Sequence, residues 1–290
     1  MKTNKEKRIQ ENRNSPNVIL LNDDELYTLK ETLLEIYMDV KKVCEKNNIT
    51  CLLLGGSALG SVRHKGFIPW DDDFDIGMSR DDYEVFKKVF KQEMAGKYTL
   101  NAPNYEGKAT NRFPKVLKNG TRFVEIGMED DERACIKIDI FIIENVPDRQ
   151  YVKLLKGLYC TVLMTIGGNV LYYETIRQNT NDLRKRMGRY IAGAMFSFLP
   201  SNRWFDIIDR ACQHSNSDSK KVNIPTGRKH YFGEILDRET FFPVGNGLFE
   251  GLDVNLPGDS EKYLTNLYGN YMEIPPEDKR EKHYIKRIAF

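Results

Sequence analysis

Several features that would direct the interpretation elsewhere are missing from this sequence. Its five cysteines are odd in number, lie far apart and form no CxxC pair, which argues against a disulfide framework and a zinc site. Its 44 basic and 42 acidic residues leave a formal charge of +2, so the positive excess of a nucleic-acid-wrapping protein is absent. No apolar segment follows the charged N-terminus, and the longest uncharged run, 157–173, falls short of the ~18 apolar residues of a membrane-spanning helix. We expect free thiols, a cytoplasmic location and no nucleic-acid partner.

The composition that remains is that of an ordinary globular protein, with 40% hydrophobic and 30% charged residues. Residues 1–20 are polar and lack periodicity, which predicts a flexible N-terminal tail. Helix and strand patterns alternate over residues 21–150 and predict an α/β core built on a mixed sheet. Longer stretches of apolar and basic residues follow over 151–290, and they predict a mostly helical C-terminal region.

The first core elements lead into a glycine turn. Asn22 and Glu25 have the spacing of a capping box, and a helical apolar stripe follows them up to residue 46. The apolar run 49–54 has the character of a short strand, and Gly55-Gly56-Ser57 ends it. Such a turn, when it opens a helix, exposes backbone N–H groups that can hold a phosphate.

Carboxylates interrupt two strand patterns. From Asp73 onward acidic and apolar residues alternate, which predicts that Asp73 and Asp75 share one face of a strand, and Asp139 lies within the apolar strand 135–143. Crowded carboxylates on a half-buried strand cost free energy unless a cation offsets their charge. A plain turn and a solvated acidic face are the alternatives for each motif alone, but together the motifs predict metal-dependent phosphate chemistry.

The 25 residues 54–78, LGGSALGSVRHKGFIPWDDDFDIGM, resemble the signature of the LicD family. Bacterial members of that family transfer phosphocholine from CDP-choline to cell-surface glycans, and its animal relatives include fukutin and its related protein. Residues 138–141 and the C-terminal block 263–276 resemble two further family blocks, so the resemblance extends over about residues 25–285. Phe74 and Asn270 depart from the commoner family residues, and neither is a presumed ligand.

This resemblance implies a nucleotidyltransferase-like fold and a Mg²⁺ or Mn²⁺ cofactor. The implied catalytic carboxylates and metal ligands are Asp73, Asp75 and Asp139, with Asp71 as an assisting ligand. The implied residues for nucleotide and substrate binding are Gly56, Ser57, Arg63 and Lys115. Arg63 is a candidate because a guanidinium can hold two phosphate oxygens with parallel hydrogen bonds. Asp72 is expected to point to the opposite side from Asp73. An N-terminal turn, or a salt bridge to Arg63 or Lys65, is the alternative role for Asp71 and Asp72.

The implied reaction is transfer of a phospho-alcohol group, with phosphocholine from CDP-choline as first choice, to a sugar hydroxyl of a teichoic acid, lipopolysaccharide or capsule precursor. The partners are then a CDP-alcohol donor and a glycan or lipid-linked glycan acceptor, and CMP is released. A true nucleotidyltransferase that releases diphosphate and a non-enzymatic scaffold are the alternatives. A choline headgroup needs aromatic faces, and the C-terminal block offers Tyr263, Tyr268 and Tyr271, for which core packing is the alternative role.

One further segment combines basic and apolar residues. Residues 183–204 hold five Lys and Arg residues among large apolar ones, a combination that suits a helix at a membrane surface. Peripheral contact with the inner face of a membrane is therefore one expectation for this segment, and ordinary core packing is the other.

Overall fold

The computed structural model describes residues 19, 21–107, 109–125, 131–175, 183–214, 219–277, 280 and 285–290, with the side chains of 175 and 183–186 excepted. The predicted N-terminal tail, apart from Ile19, lies outside the described residues.

The chain opens with helix α1 (Asp23–Lys46), and its start confirms the predicted capping box. The Asn22 side chain accepts a hydrogen bond from the Glu25 N–H at 2.9 Å, and the Glu25 carboxylate accepts one from the Asn22 N–H at 3.0 Å. Strand β1 (Leu52–Leu53) follows, and helix α2 (Gly55–His64) begins two residues after it. The glycine turn therefore opens directly into a helix.

A mixed sheet forms the centre of the molecule and confirms the α/β fold class. Its order is β1-β2-β6-β4-β3; β2 and β6 run parallel, whereas the other pairs of this order are antiparallel. The residues that cover it belong to one large apolar core. The further elements up to residue 145 are β2 (Asp75–Ser79), α3 (Arg80–Glu93), β3 (Tyr98–Asn101), β4 (Lys115–Lys118), β5 (Arg122–Glu125) and β6 (Lys137–Asn145).

Three helices then build a second, smaller apolar core: α4 (Gln150–Thr175), α5 (Leu183–Phe196) and α6 (Ser201–Cys212). Within the described part of the chain, α4 is the one helix that is long and apolar enough to cross a membrane, and about a third of its most apolar stretch is buried. The uncharged run 157–173 suggested a shorter apolar segment, because Lys153 and Lys156 precede that run but lie within the same helix.

Beyond residue 219 the chain returns to the main core, which the sequence interpretation of a mostly helical C-terminal region missed. Strand β7 pairs with the end of β6, and β11 pairs with β5. Strands of two to five residues are too short to show a clear alternation in the sequence. The elements are β7 (Lys221–Asn223), α7 (His230–Gly233), β8 (Leu236–Asp237), a 3₁₀ turn (Arg238–Thr240), β9 (Gly245–Phe249), β10 (Leu252–Leu256), α8 (Ser260–Tyr268) and β11 (Ile285–Ala289).

A buried group of charges joins the sheet to the helical region. Arg80, at the start of α3, donates from Nε to Glu144 of β6 at 3.0 Å and from Nη2 to Asp209 of α6 at 2.8 Å. Burial alone would lower the pKa of Arg80, but the two carboxylates outweigh it and raise that pKa. The guanidinium therefore stays charged and ties α6 to the end of β6. The division of the chain at residue 150 remains a prediction.

Candidate active site

The first turn of α2 is bound to the start of β2. The Gly56 N–H donates to Asp75 Oδ2 at 3.2 Å, and the Asp75 N–H donates to the Ser57 hydroxyl oxygen at 2.8 Å. A carboxylate is stabilised at this position, because the N-terminus of a helix carries partial positive charge and N–H groups without a partner in the helix. The predicted turn residues Gly56 and Ser57 therefore lie beside the predicted carboxylate Asp75.

Two glycines leave room for three carboxylates at this helix end. Gly55 has a φ of +50°, and a Cβ there would lie 2.2 Å from Asp75 Oδ2. A Cβ on Gly56 would lie 2.8 Å from Asp71 Oδ2 and 3.8 Å from Asp73 Oδ1. The structure thus brings the Asp71, Asp73 and Asp75 side chains against the first turn of α2.

The sheet register places the remaining predicted residues in a row. Asp75 on β2 is paired with Asp139 on β6, and Asp139 is paired with Lys115 on β4. Directly paired residues point to the same face of a sheet, so these three side chains cross three strands side by side. Lys115 Nζ lies 3.4 Å from Asp139 Oδ1. The strand order β2-β6-β4 therefore brings two carboxylates and one ammonium group together from separate parts of the chain.

Asp73 reaches this row from a loop and not from a strand. Strand β2 begins at Asp75, so the prediction that Asp73 and Asp75 alternate along one strand is wrong for Asp73. Asp73 nevertheless lines a cavity of about 200 Å³ together with Lys115 and Asp139. Asp72 lines it too, although we expected its side chain to point away from Asp73. Residues 71–74 form a loop before β2 and lack the regular alternation of a strand, which allows both side chains to turn toward one cavity.

Lys137 is a second cation in this cavity that the sequence analysis passed over. It forms an ion pair with Glu125 and lies 5.1 Å from the centroid of the Phe123 ring. Burial lowers the pKa of Lys137, but the charges of Glu125 and Asp139 outweigh that effect, and the pKa is raised. Lys137 therefore remains protonated inside the site. Its position two residues before Asp139, on the same strand face, was the available signal.

Arg63 and His64 bind to each other and to the C-terminal segment. Arg63 Nη1 donates to the Tyr271 carbonyl at 2.6 Å, and its Nε donates to His64 Nε2 at 2.9 Å. Burial and the neighbouring guanidinium both lower the pKa of His64, so the imidazole is neutral and accepts this hydrogen bond. The structure therefore gives Arg63 a positioning role, and its contact with phosphate stays a prediction.

The tyrosines of the C-terminal block occupy different environments. The Tyr263 hydroxyl accepts a hydrogen bond from the Gly55 N–H at 3.1 Å, and this side chain is buried in the core, as its alternative role required. Tyr268 lies near Asp75: burial raises its pKa first, and the Asp75 charge raises it further. The guanidinium of Arg228 lies over the Tyr268 ring at 5.3 Å. Arg228 belongs to a turn without periodicity, so no pattern in the sequence indicated it.

The donor atoms at this site fit a hard divalent cation. Asp139 Oδ1 is buried and receives no hydrogen bond, although the Lys115 ammonium is 3.4 Å away. Carboxylate oxygens are the ligands that Mg²⁺ prefers. Across the described residues, however, no three His, Cys, Asp or Glu side chains already stand as a metal-holding group. The Asp73, Asp75 and Asp139 carboxylates would therefore have to move closer together before they could hold an ion in common.

A glycine-rich helix start next to carboxylates on two adjacent parallel strands can bring a phosphate and a divalent cation together. In agreement, residues 48–156 match the family described as LicD/FKTN/FKRP, nucleotidyltransferase domain. The chain is 28% identical over 255 residues to the lipopolysaccharide cholinephosphotransferase LicD of Haemophilus influenzae, a match that covers 84% of this chain and 90% of that relative. A shorter segment of 61 residues is 39% identical to an uncharacterised protein of Rickettsia typhi and covers 21% of this chain and 20% of that protein. The chain is therefore similar to proteins of the LicD family.

Proposed function

We propose that this protein transfers phosphocholine from CDP-choline to a sugar hydroxyl of a lipopolysaccharide-type glycan and releases CMP. The observation that carries the proposal is the row of Asp75, Asp139 and Lys115 facing the glycine-rich start of α2. The similarity to a cholinephosphotransferase over nine-tenths of that relative's length supports the choice of phosphocholine and of the acceptor. We place the reaction in the cytoplasm, because all five thiols are free.

The cavity between the strands supplies cations for the donor diphosphate. Lys115 and Lys137 line it, and their ammonium groups can bind phosphate oxygens there. Asp73, Asp75 and Asp139 would hold Mg²⁺ or Mn²⁺, with Asp71 close by. Bound there, such an ion supplies positive charge to the phosphoryl oxygens and to the leaving group.

The chemical step is an in-line displacement at the phosphorus that bears choline. The acceptor hydroxyl oxygen forms a new bond to this phosphorus, the bond from phosphorus to the bridging oxygen breaks, and the electron pair leaves with CMP. The hydroxyl proton must go to a base. We assign that task to the Asp139 oxygen that the metal ion would leave free, because this carboxylate lies in the cavity and its Oδ1 accepts no hydrogen bond from the protein.

The trimethylammonium group of choline requires an aromatic surface rather than a hydrogen-bond acceptor. Tyr268 is the candidate, because its ring lies near the site carboxylates and already faces the cation of Arg228. Such a contact contributes roughly 0.5–2 kcal/mol. Tyr263 is committed to the Gly55 N–H and does not take part.

Product analysis tests the proposal against its two rivals. The purified protein is incubated with Mg²⁺, a lipopolysaccharide lacking phosphocholine, and CDP-choline, CDP-ribitol, CDP-glycerol or a nucleoside triphosphate in turn. We expect CMP and modified glycan from CDP-choline. Diphosphate release from the triphosphate would indicate a nucleotidyltransferase, and a preference for a polyol donor would overturn the choline assignment. A protein whose melting temperature responds to none of the nucleotides with Mg²⁺ would be a scaffold.

The aromatic surface has its own test. Tyr268→Leu should raise KM for CDP-choline, while Tyr271→Leu should leave it nearly unchanged, because Tyr271 contacts Arg63 through its carbonyl. Unchanged kinetics in both variants would retain the donor but place the choline contact elsewhere.

A further inference from the structure

The outward sides of α4 and α5 expose an unusual number of large apolar side chains. Each of them is about half exposed or more, and Leu155 and Phe198 reach 64% and 72%. We call this set the outer face: Tyr151, Leu154, Leu155, Leu158, Tyr159 and Val162 on α4, and Met187, Tyr190, Ile191, Met195 and Phe198 on α5 and the turn after it. A contiguous exposed apolar patch marks a surface that meets another apolar phase.

On α4 the exposed residues form one stripe, since they recur at intervals of three and four positions. The opposite side of the same helix is fixed to the protein. A Cβ on Gly157 would lie 2.2 Å from the Phe232 ring, and a Cβ on Gly167 would lie 2.8 Å from Ile208. Because one side is packed so closely, α4 can lie along a surface but cannot be surrounded by lipid.

Helix α5 continues this surface. A Cβ on Gly193 would lie 2.3 Å from the Asn169 carbonyl oxygen, so the two helix backbones approach closely. Arg189 donates from Nε to Asn169 Oδ1 at 3.2 Å and lies 4.3 Å from the Tyr172 ring. The exposed stripes of α4 and α5 are thus held in a fixed relation to each other.

The charges on α4 and α5 are mostly positive, and exposed Asp148 and Glu174 at the two ends of α4 are the exceptions. Between Gln150 and Tyr173, α4 contains two lysines and no acidic residue, and α5 contains four basic residues and no acidic one. Arg149 precedes α4 and is also exposed. Apolar and aromatic side chains on helices whose charges are mostly Lys and Arg complement an anionic lipid surface, where the rings lie at the headgroup level.

We propose that the outer face docks the protein on an anionic lipid bilayer, with α4 and α5 lying in the interface. A second copy of the chain fits less well, because a two-fold contact through this face would bring its basic residues against each other. The segment 183–204, whose sequence suggested a helix at a membrane surface, is only partly exposed: Trp204 is buried, while Ile191, Met195 and Phe198 are exposed. This inference does not depend on the reaction proposed above.

Vesicle flotation of the full chain tests the proposal. We expect binding to vesicles that contain phosphatidylglycerol, little binding to pure phosphatidylcholine, and release by high salt. The double variant Leu155→Gln/Phe198→Gln should bind roughly tenfold more weakly or worse. Tyr27→Gln is the matched control, because Tyr27 is 66% exposed on α1, and its binding should be unchanged.

Two results would overturn this inference. Equal binding to both vesicle types, or binding to neither, would show that the outer face does not bind an anionic lipid surface. A concentration-dependent dimer in sedimentation velocity that the double variant abolishes would assign the outer face to a second copy of the chain. Circular dichroism and melting temperature establish that each variant is folded before its binding is compared.

Discussion

Two parts of the molecule, the sheet region around β2 and β6 and the helical region of α4 to α6, break the usual rule of burial in opposite ways: one buries charged groups and the other exposes apolar ones. Around β2 and β6 the fold places acidic and basic side chains in a cavity among apolar residues, and Asp139 keeps a buried oxygen without a hydrogen bond. On α4 and α5 it leaves large apolar side chains in water. Buried charges and exposed apolar patches both cost free energy, so each marks a place where the protein meets something other than water. The cavity of the sheet region suits a cation and phosphates, and the exposed face of α4 and α5 suits a lipid surface.

The largest expected effect concerns the charges of the sheet region. Asp75→Asn and Asp139→Asn should each reduce CMP release roughly 10³-fold, because each removes a negative charge from the site. Their melting temperatures without metal should be equal to or above that of the wild type, because fewer carboxylates then repel one another. Steady-state assays and thermal melts check both parts.

Asp253→Asn is the control for these two variants, since Asp253 is an exposed carboxylate on β10. Its activity and melting temperature should match the wild type. Near-normal activity of both site variants would show that the carboxylates of the sheet region serve only the fold.

The second prediction breaks the connection between the two regions. Arg80→Met leaves Glu144 and Asp209 buried without their shared cation, and it should lower the free energy of unfolding by about 3–5 kcal/mol. Urea unfolding measures the loss, and adding Glu144→Gln should restore part of it. Lys91→Met, which removes an exposed ion pair with Glu106, should cost less than about 1 kcal/mol. Equal losses in both variants would mean that the buried charges do not join the regions.

Local patterns in the sequence predicted the local structure well. The capping box at Asn22, the strand before the glycine turn and the carboxylate within strand β6 all depend on neighbours within a few positions. The glycine turn and the acidic run were also visible, because few other roles explain such residues inside apolar strands.

Long-range arrangement could not be predicted in the same way. The row Asp75–Asp139–Lys115 depends on the strand order β2-β6-β4, which no periodicity encodes. Tyr263 contacts Gly55 across 208 positions, so its role was invisible in the sequence. The sequence of α4 likewise shows which of its residues are apolar, but it does not show which side of the helix is covered by the rest of the protein.

The third prediction concerns the buried carboxyl group of Glu234, which lies between α7 and β8. Burial raises the pKa of Glu234 to about 7, although the Lys229 N–H donates to its carboxylate at 2.7 Å. The folded state therefore holds this proton after the unfolded state has lost it. The stability that the neutral acid contributes is full below pH 4.5 and declines as the pH rises to about 7, by up to about 3 kcal/mol.

Comparison with Glu234→Gln isolates this group from others that titrate in the same range. The amide keeps an acceptor for the Lys229 N–H, so the variant should lose stability less steeply between pH 4.5 and 7 and exceed the wild type at pH 8. Chemical unfolding at several pH values measures the difference. Parallel curves for the two proteins would show that Glu234 ionises normally.

The fourth prediction tests the glycine at the start of α2. Gly55→Ala should cost about 1–2 kcal/mol from its positive φ alone, and the added Cβ would displace the Asp75 carboxylate. Activity should therefore fall together with stability. A variant with normal stability and activity would show that this turn adopts another conformation.

The smallest effect, and the sharpest contrast with the sheet region, comes from two adjacent glycines of α4. Gly168 has no atom within 4 Å of an added Cβ, so Gly168→Ala should stabilise the helix by about 0.5–1 kcal/mol. A Cβ on Gly167 would lie 2.8 Å from Ile208 and 3.4 Å from Trp204, so Gly167→Ala should destabilise the protein instead. Both substitutions improve helix propensity equally, and only packing against α6 separates them. If the melting temperature rises in Gly168→Ala and falls in Gly167→Ala, α6 packs against the Gly167 side of α4. Equal changes in both variants would show that α6 does not pack there, and the orientation of the outer face toward solvent would lose its support.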